Sequence, residues 1–228
     1  MIKILPSAAT FLCLLLLLQN GCGPGRIPFQ TVSYVPFEGV DPGTVRERFA
    51  RLIPDTFQVV DTIVFTYGRH TFSAIGYTAL DSRQKAFTVA GMNPMGVKLF
   101  ELAADKKSVE CRFALEEFTR HGNFAQAVAD DIRRIYFDRV PVPEARVKKE
   151  KYRIIFSQPD EEGTIEYIFA GADSLLVEKR CCKQNRRLWS ISYYEYQQKD
   201  GKLYPGGIIF NHHQRHYQFI VRLKEIRS

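Results

Sequence analysis

The chain of 228 residues lacks the short signatures of the common chemistries. It contains no Gly-X-Ser-X-Gly elbow, no phosphate-binding loop and no His-Glu-X-X-His, so the usual marks of a serine hydrolase, a nucleotide-triphosphatase and a zinc peptidase are missing. The glycines at 21, 23 and 25 follow no strand pattern and are not a dinucleotide fingerprint. Adjacent acids occur at Asp130-Asp131, Glu116-Glu117 and Glu161-Glu162. Neighbours diverge by about 100° on a helix and about 180° on a strand, so none of these pairs converges on one bond. The chain therefore reads as non-enzymatic, with no cofactor. Tryptophan occurs once and methionine three times, against 17 Phe and 11 Tyr, a bias toward strand formers. Collagen repeats, heptads and multiple membrane spans are absent. The excess of positive charge is small, 32 basic against 25 acidic side chains, and is interspersed, which argues against nucleic acid as a partner. With 45% hydrophobic and 25% charged residues, one sizeable core with appendages is expected.

What is present begins with an address. Lys3 precedes an apolar stretch from Phe11 to Leu18, about half the ~20 residues a helix needs to cross a bilayer. Residues 1–21 thus read as a secretory signal. The run Leu18-Gln19-Asn20-Gly21-Cys22 resembles the lipobox at which bacterial lipoproteins are cut and acylated, except that Gln19 stands where an aliphatic residue is usual. That resemblance makes Cys22 the lipidated first residue of the mature chain. Gly23 is not the aspartate that retains such proteins in the inner membrane, so by the same resemblance the destination is the outer membrane, facing the periplasm. Residues 22–42, with prolines at 24, 28, 36 and 42, read as a flexible tether.

Residues 43–228 carry the domain. Val45, Phe49, Leu52 and Ile53 recur at helical spacing over 43–53. From Phe57 the period becomes two, with strand patterns at 57–67, 70–80, 84–92, 96–104 and 108–116 separated by turn residues. A second amphipathic helix opens at Asn123 and carries Phe124, Val128, Ile132, Ile135 and Tyr136 on one stripe. Strand patterns resume at 151–157, 164–170, 174–182, 187–197, 206–211 and 215–226. The expected fold is mainly β: a strongly curved antiparallel sheet of about eleven strands, an open half-barrel, with short helices covering its concave face. Such a hollow suits either a packed core or a pocket for an apolar ligand.

The stretch from Phe87 to Leu102, FTVAGMNPMGVKLFEL, resembles the third and fourth strands of the LolB-like outer-membrane lipoproteins of the lipoprotein carrier superfamily. In them the matching hairpin carries Asn-Pro, an exposed leucine and glycine, and the leucine projects toward lipid. Here Asn93, Pro94, Met95 and Gly96 occupy the turn, with Met95 at the leucine's place. The resemblance spans most of residues 43–227. It implies a protein that binds acyl chains in an apolar pocket and works in lipoprotein or lipid delivery. Its partners would be lipid or an acylated lipoprotein, the inner leaflet of the outer membrane and a periplasmic carrier. The candidate pocket lining is the apolar faces of four strands: Val109, Phe113 and Leu115; Ile154 and Phe156; Tyr167 and Phe169; Tyr217, Phe219 and Val221. The alternative is an envelope scaffold with a filled core.

Other features weigh less. His212, His213 and His216 cluster where the last hairpin should turn and read as a solvated turn, not a metal site. Of Cys111, Cys181 and Cys182, one pair could form a disulfide, and buried free thiols are the equal alternative. The basic run Lys148-Lys149-Glu150-Lys151-Tyr152-Arg153, together with Lys179, Arg180, Lys183, Arg186 and Arg187, reads as the solvated rim of a sheet, with anionic lipid headgroups as its functional alternative.

Overall fold

Two signals fix the first helix, α1, at Pro42–Leu52: the Asp41 carboxylate accepts from the Thr44 N–H at 2.7 Å, and a proline fills the first helical position. The computed structural model describes residues 27–120 and 122–227. The expected signal peptide and Cys22 lie outside the described residues. The segment preceding α1 has no regular structure, but Phe37 is buried and its N–H bonds to the Lys151 carbonyl, while Lys149 donates to the Val40 carbonyl. This end of the segment read as a tether therefore lies against the domain.

Five strands follow: β1 (Thr56–Tyr67), β2 (His70–Asp81), β3 (Ala86–Met92), β4 (Lys98–Ala104) and β5 (Val109–Ala114). A one-turn helix α2 (Glu116–Thr119) and the long helix α3 (Phe124–Tyr136) come next. The remaining strands are β6 (Arg146–Glu150), β7 (Arg153–Pro159), β8 (Thr164–Ala170), β9 (Leu175–Lys183), β10 (Arg186–Tyr194), β11 (Gln197–Lys199), β12 (Lys202–Tyr204), β13 (Gly207–His212) and β14 (Tyr217–Arg227). Twelve of them form one open antiparallel sheet in the order β5-β4-β3-β2-β1-β14-β13-β10-β9-β8-β7-β6, and β11 and β12 make a separate ribbon.

The sheet is mainly what the alternation predicts, with corrections. The charged stretch expected to be a rim is β6, an edge strand whose lysines and arginine face water and discourage further pairing. The strand read as continuous over 187–197 stops at Tyr194, because Glu195 turns to a positive φ of 50°. The ribbon beyond it is closed by Asp200-Gly201, both at positive φ, the dipeptide that a tight hairpin turn favours. Eleven expected strands thus become twelve in the sheet plus a ribbon.

Consecutive strands pair throughout each half, and the halves are joined by β1 against β14 in the middle of the sheet. Since β5 and β6 are the two edges, the connection bearing α3 runs from one edge to the other. The Asn123 side chain accepts from the Gln126 N–H and caps α3. Ala129, Ile132, Ile135 and Tyr136 are buried, and polar bonds hold the helix to four strands. Tyr136 of α3 donates to Asp61 of β1 at 3.4 Å, and Tyr217 of β14 donates to Asp131 of α3 at 2.6 Å. Tyr193 of β10 donates to the Ile135 carbonyl at 2.7 Å. Lys179 of β9 donates to the Arg134 and Phe137 carbonyls at 3.2 and 3.0 Å.

Expected on a solvated rim, Lys179 is instead buried, where the helix leaves carbonyls unpaired and its dipole favours a cation. Burial pushes its pKa down to about 8. Substituting Lys179→Met strands two carbonyls in the interior and should lower the unfolding free energy by about 2 kcal/mol. A lower urea midpoint with an unchanged m-value is the expected result.

Candidate functional site: an apolar cavity beneath the long helix

Between α3 and the first half of the sheet lies a cavity of about 310 Å³, at the lower end of the range for small-molecule pockets. Its strand walls are Ile63 and Phe65 of β1, Phe72 and Ala74 of β2, Phe100 of β4, and Tyr217, Phe219 and Val221 of β14. Phe118 of α2 and Phe124, Ala127, Val128 and Ile132 of α3 complete it. The rings interlock, with centroids 4.9 Å apart for Phe65 and Phe219, 5.6 Å for Phe72 and Phe118, and 5.3 Å for Phe100 and Phe124. Register explains the convergence: Phe65 stands opposite both Phe72 and Phe219, and Ile63 opposite both Ala74 and Val221. Gly76 and Gly91 face each other across β2 and β3. A Cβ on Gly91 would stand 2.4 Å from the Phe100 ring, so the glycine lets that ring lie against the sheet instead of filling the hollow.

Three acids and no lysine or arginine line this cavity: Asp61, Asp131 and Glu117. Asp61 is 3% exposed. Burial drives its pKa up to about 7, opposed only by the Tyr136 hydroxyl. Asp131 is raised to about 6 by burial, against the pull of Tyr217 and of Arg134, whose guanidinium lies 3.0 Å away. A larger groove of about 1020 Å³ at the opposite strand ends is lined by Asp55, Arg83, Asp105, Lys202 and Arg227 among others, and lacks an apolar enclosure.

The four strand faces expected to form a pocket divide. Tyr217, Phe219 and Val221 line the cavity. Ile154, Phe156, Tyr167 and Phe169 do not; they are fully buried in the other half, where Phe49 of α1 sets its ring edge-on to Phe169 at 5.3 Å and fills the space. Val109 and Leu115 are half-buried beside the core without reaching the cavity wall. Phe113 is 41% exposed. A bulge pairs Leu102 with Cys111 but Glu101 with Phe113, so Phe113 turns to the face opposite that of Leu102. Cys111, Cys181 and Cys182 are free thiols, the first exposed and the second buried.

The hairpin tip is firmly built. The Asn93 side chain accepts from the Met95 and Val97 N–H groups at 3.0 and 2.9 Å, and Gly96 takes a φ of 83°. Met95 is 86% and Val97 53% exposed. The antiparallel registers bring this tip, the β1–β2 turn with exposed Tyr67, and the β13–β14 turn to one end of the sheet. That is also the end where Phe65, Phe72, Phe100 and Phe219 wall the cavity. At the last turn His212 is buried, not solvated, with its pKa lowered to about 4 by burial, and only the residues after it form the turn. Among the described residues no group of three or more His, Cys, Asp or Glu is placed to hold a metal, and no helix is long and apolar enough to cross a membrane.

Sequence reasoning missed Asp61, although a signal existed. In FQVVDTIVF it is the one acid in phase with Phe57, Val59, Ile63 and Phe65, so the strand period alone places it on the inner face. Asp131 was hidden by its neighbour Asp130, with which it was weighed only as an adjacent pair.

An open, many-stranded antiparallel sheet crossed by one long helix defines the class, and a solved structure shares that fold. A LolA superfamily protein from Nitrosomonas europaea is similar at a TM-score of 0.55 with 11% identity, over 82% of this chain and 93% of that one. A domain described as outer membrane lipoprotein-sorting, from Vibrio parahaemolyticus, is similar at 0.46 with 11% identity, over 81% and 90%. A DUF1329 family protein from Desulfovibrio piger is also similar at 0.46 with 7% identity, over 83% and 94%. The fold expected from the hairpin and strand order is thus shared with a LolA superfamily protein. Residues 58–224 match the model of the family described as protein of unknown function (DUF3261), and the chain belongs to that family. No curated protein matches it.

The buried acid makes stability pH-dependent. The folded chain binds a proton at Asp61 more tightly than the unfolded chain does, so the stability contributed by that group is complete below about pH 4 and is lost as pH rises through about 7. Asp61→Asn should remove this loss, gaining a few kcal/mol on wild type between about pH 4 and about pH 8. Urea titrations of both proteins across that window check it.

Proposed function

We propose that this is a lipid-anchored, non-enzymatic periplasmic protein that shelters an acyl chain in the cavity beneath α3 and works in lipoprotein or lipid delivery to the outer membrane. In this reading the sheet curls around its helices, which cover the concave face, and residues 1–21 are a signal whose removal exposes Cys22 for acylation. The observation that carries the proposal is the cavity itself: about 310 Å³ walled by phenylalanines and aliphatic side chains, while the matching aromatic and aliphatic faces of the other half are fully buried against α1. Transfer of a chain into such a space gains about 0.8 kcal/mol per buried methylene, enough for useful affinity after ordering costs. The fold shared with a LolA superfamily protein and the resemblance of the 93–96 hairpin to that of LolB-like lipoproteins support it.

Met95 completes the proposal. It is an unbranched apolar side chain held out on a rigid turn at the cavity's end of the sheet, suited to enter the acyl region of a leaflet or to meet an acylated cargo.

Two substitutions separate these roles. Ala127→Trp places an indole in the cavity from α3 and should weaken binding of a fluorescent fatty-acyl probe at least about tenfold, while liposome association is kept. Met95→Glu should leave probe binding and the thermal midpoint unchanged but reduce co-sedimentation with phospholipid liposomes. Probe binding that is unaffected by the indole would remove the carrier reading, and liposome association indifferent to the glutamate would remove the insertion role.

A further inference from the structure

We propose that the cavity takes a cationic amphiphile, one with a protonated amine next to its chain, and that the ammonium pairs with the carboxylate of Asp61. This rests on the acyl-chain reading above and names the head group it selects.

Among the described residues Asp61 has no basic partner. Asp61 sits in the middle of β1 on the face covered by α3, and its one hydrogen bond runs from Tyr136 at a long 3.4 Å. The groups around it come from every neighbouring element. Lining the same cavity are Thr78 from β2, Tyr217 from β14, Asp131 and Tyr136 from α3, and the exposed Glu117 from α2. None is basic. Arg134 is engaged with Asp131 and with Glu162 of the β7–β8 turn. Arg139, beyond α3, acts on the Tyr136 hydroxyl, and among the described residues no basic side chain makes an ion pair or hydrogen bond with Asp61. An ionised carboxylate in such surroundings is costly unless a cation reaches it, and breaking or leaving such a pair incomplete is what low-polarity interiors penalise most.

An ammonium on an alkyl chain meets both demands at once: the chain replaces contact with water by contact with the phenylalanines, and the head supplies the missing partner. A carboxylate or phosphate head would instead meet three acids. The preference cannot come from the protein's overall charge, which is +7 and repels cations at long range. The raised pKa of Asp61 is the same imbalance seen without ligand, and a bound amine would draw it down.

The test compares dodecylamine, dodecanol and dodecanoate, which share one chain, binding to the purified full chain by calorimetry below their micellar concentrations. The amine should bind about tenfold or more tighter than the alcohol, and the carboxylate weakest. The amine's advantage should shrink as pH falls from about 8 to about 6 and Asp61 takes up its proton. In Asp61→Asn the advantage and its pH dependence should vanish while dodecanol binding stays within about threefold of wild type. Asp61→Ser, smaller than aspartate, repeats the comparison if the amide disturbs the cavity, with thermal unfolding recorded for each protein. Equal binding of the three ligands to wild type, or an amine preference that survives in both variants, overturns the proposal and leaves the acyl-chain reading standing. Failure of all three to bind overturns both.

Discussion

The attachment of α3 to the sheet is the constraint on which the structure depends. The helix lies on the only connection between the two edge strands, and its carbonyls at residues 134, 135 and 137 take hydrogen bonds from Lys179 and Tyr193 in the second half of the sheet. Its acid Asp131 and its Tyr136 reach back to β14 and β1 at the centre. Four strands from both halves therefore meet one helix through buried polar bonds, which are strong where water is excluded and demand their partners' geometry. A sheet of twelve strands with free edges has no closure of its own to set its shape. The helix supplies that setting.

Because the bonds fall along the C-terminal half of α3, its other half stands over the first five strands with side chains alone. There the small residues Gly76 and Gly91 let Ile63 and Phe100 lie against the backbone, and Ala74 and Ala127 leave the space between them open. In the second half the large aromatic side chains of α1, β7 and β8, with Tyr196 just beyond β10, meet directly and are buried against one another. The division between a filled core and a cavity is thus written in side-chain volume. It joins the acid chemistry of Asp61 to the apolar walls, since a strand buried on its inner face carries whatever stands in phase with it. The exposed Met95 turn at the same end gives the cavity an apolar neighbourhood.

Much of this was legible from residue order. Alternation located the strands of the long meander, Asn123 marked the start of α3, and Asn93 with Gly96 marked the hairpin tip. Other features depended on pairing that no single segment reveals. Phe113 alternates correctly with Val109 and Cys111 within β5, yet a bulge against β4 turns it outward. Ile154, Phe156, Tyr167 and Phe169 have the right face for a pocket, but Phe49 from a distant helix occupies the space before them. β6 was obscured because an edge strand needs no apolar face, and the ribbon because a run of aromatics around it looked continuous. His212 is buried by contact with Phe210 and Tyr217, which a turn-like histidine cluster does not announce.

The most direct measurement of the central claim is NMR with the uncharged methyl ester of a stearate bearing a nitroxide along its chain, read on the methyl groups of the isotopically labelled protein. An acyl chain held beneath α3 predicts paramagnetic broadening concentrated on Val128, Ile132 and Val221, with Ile154 and Leu176 in the filled half left sharp. Broadening of the two groups alike, or of surface methyls only, would contradict it.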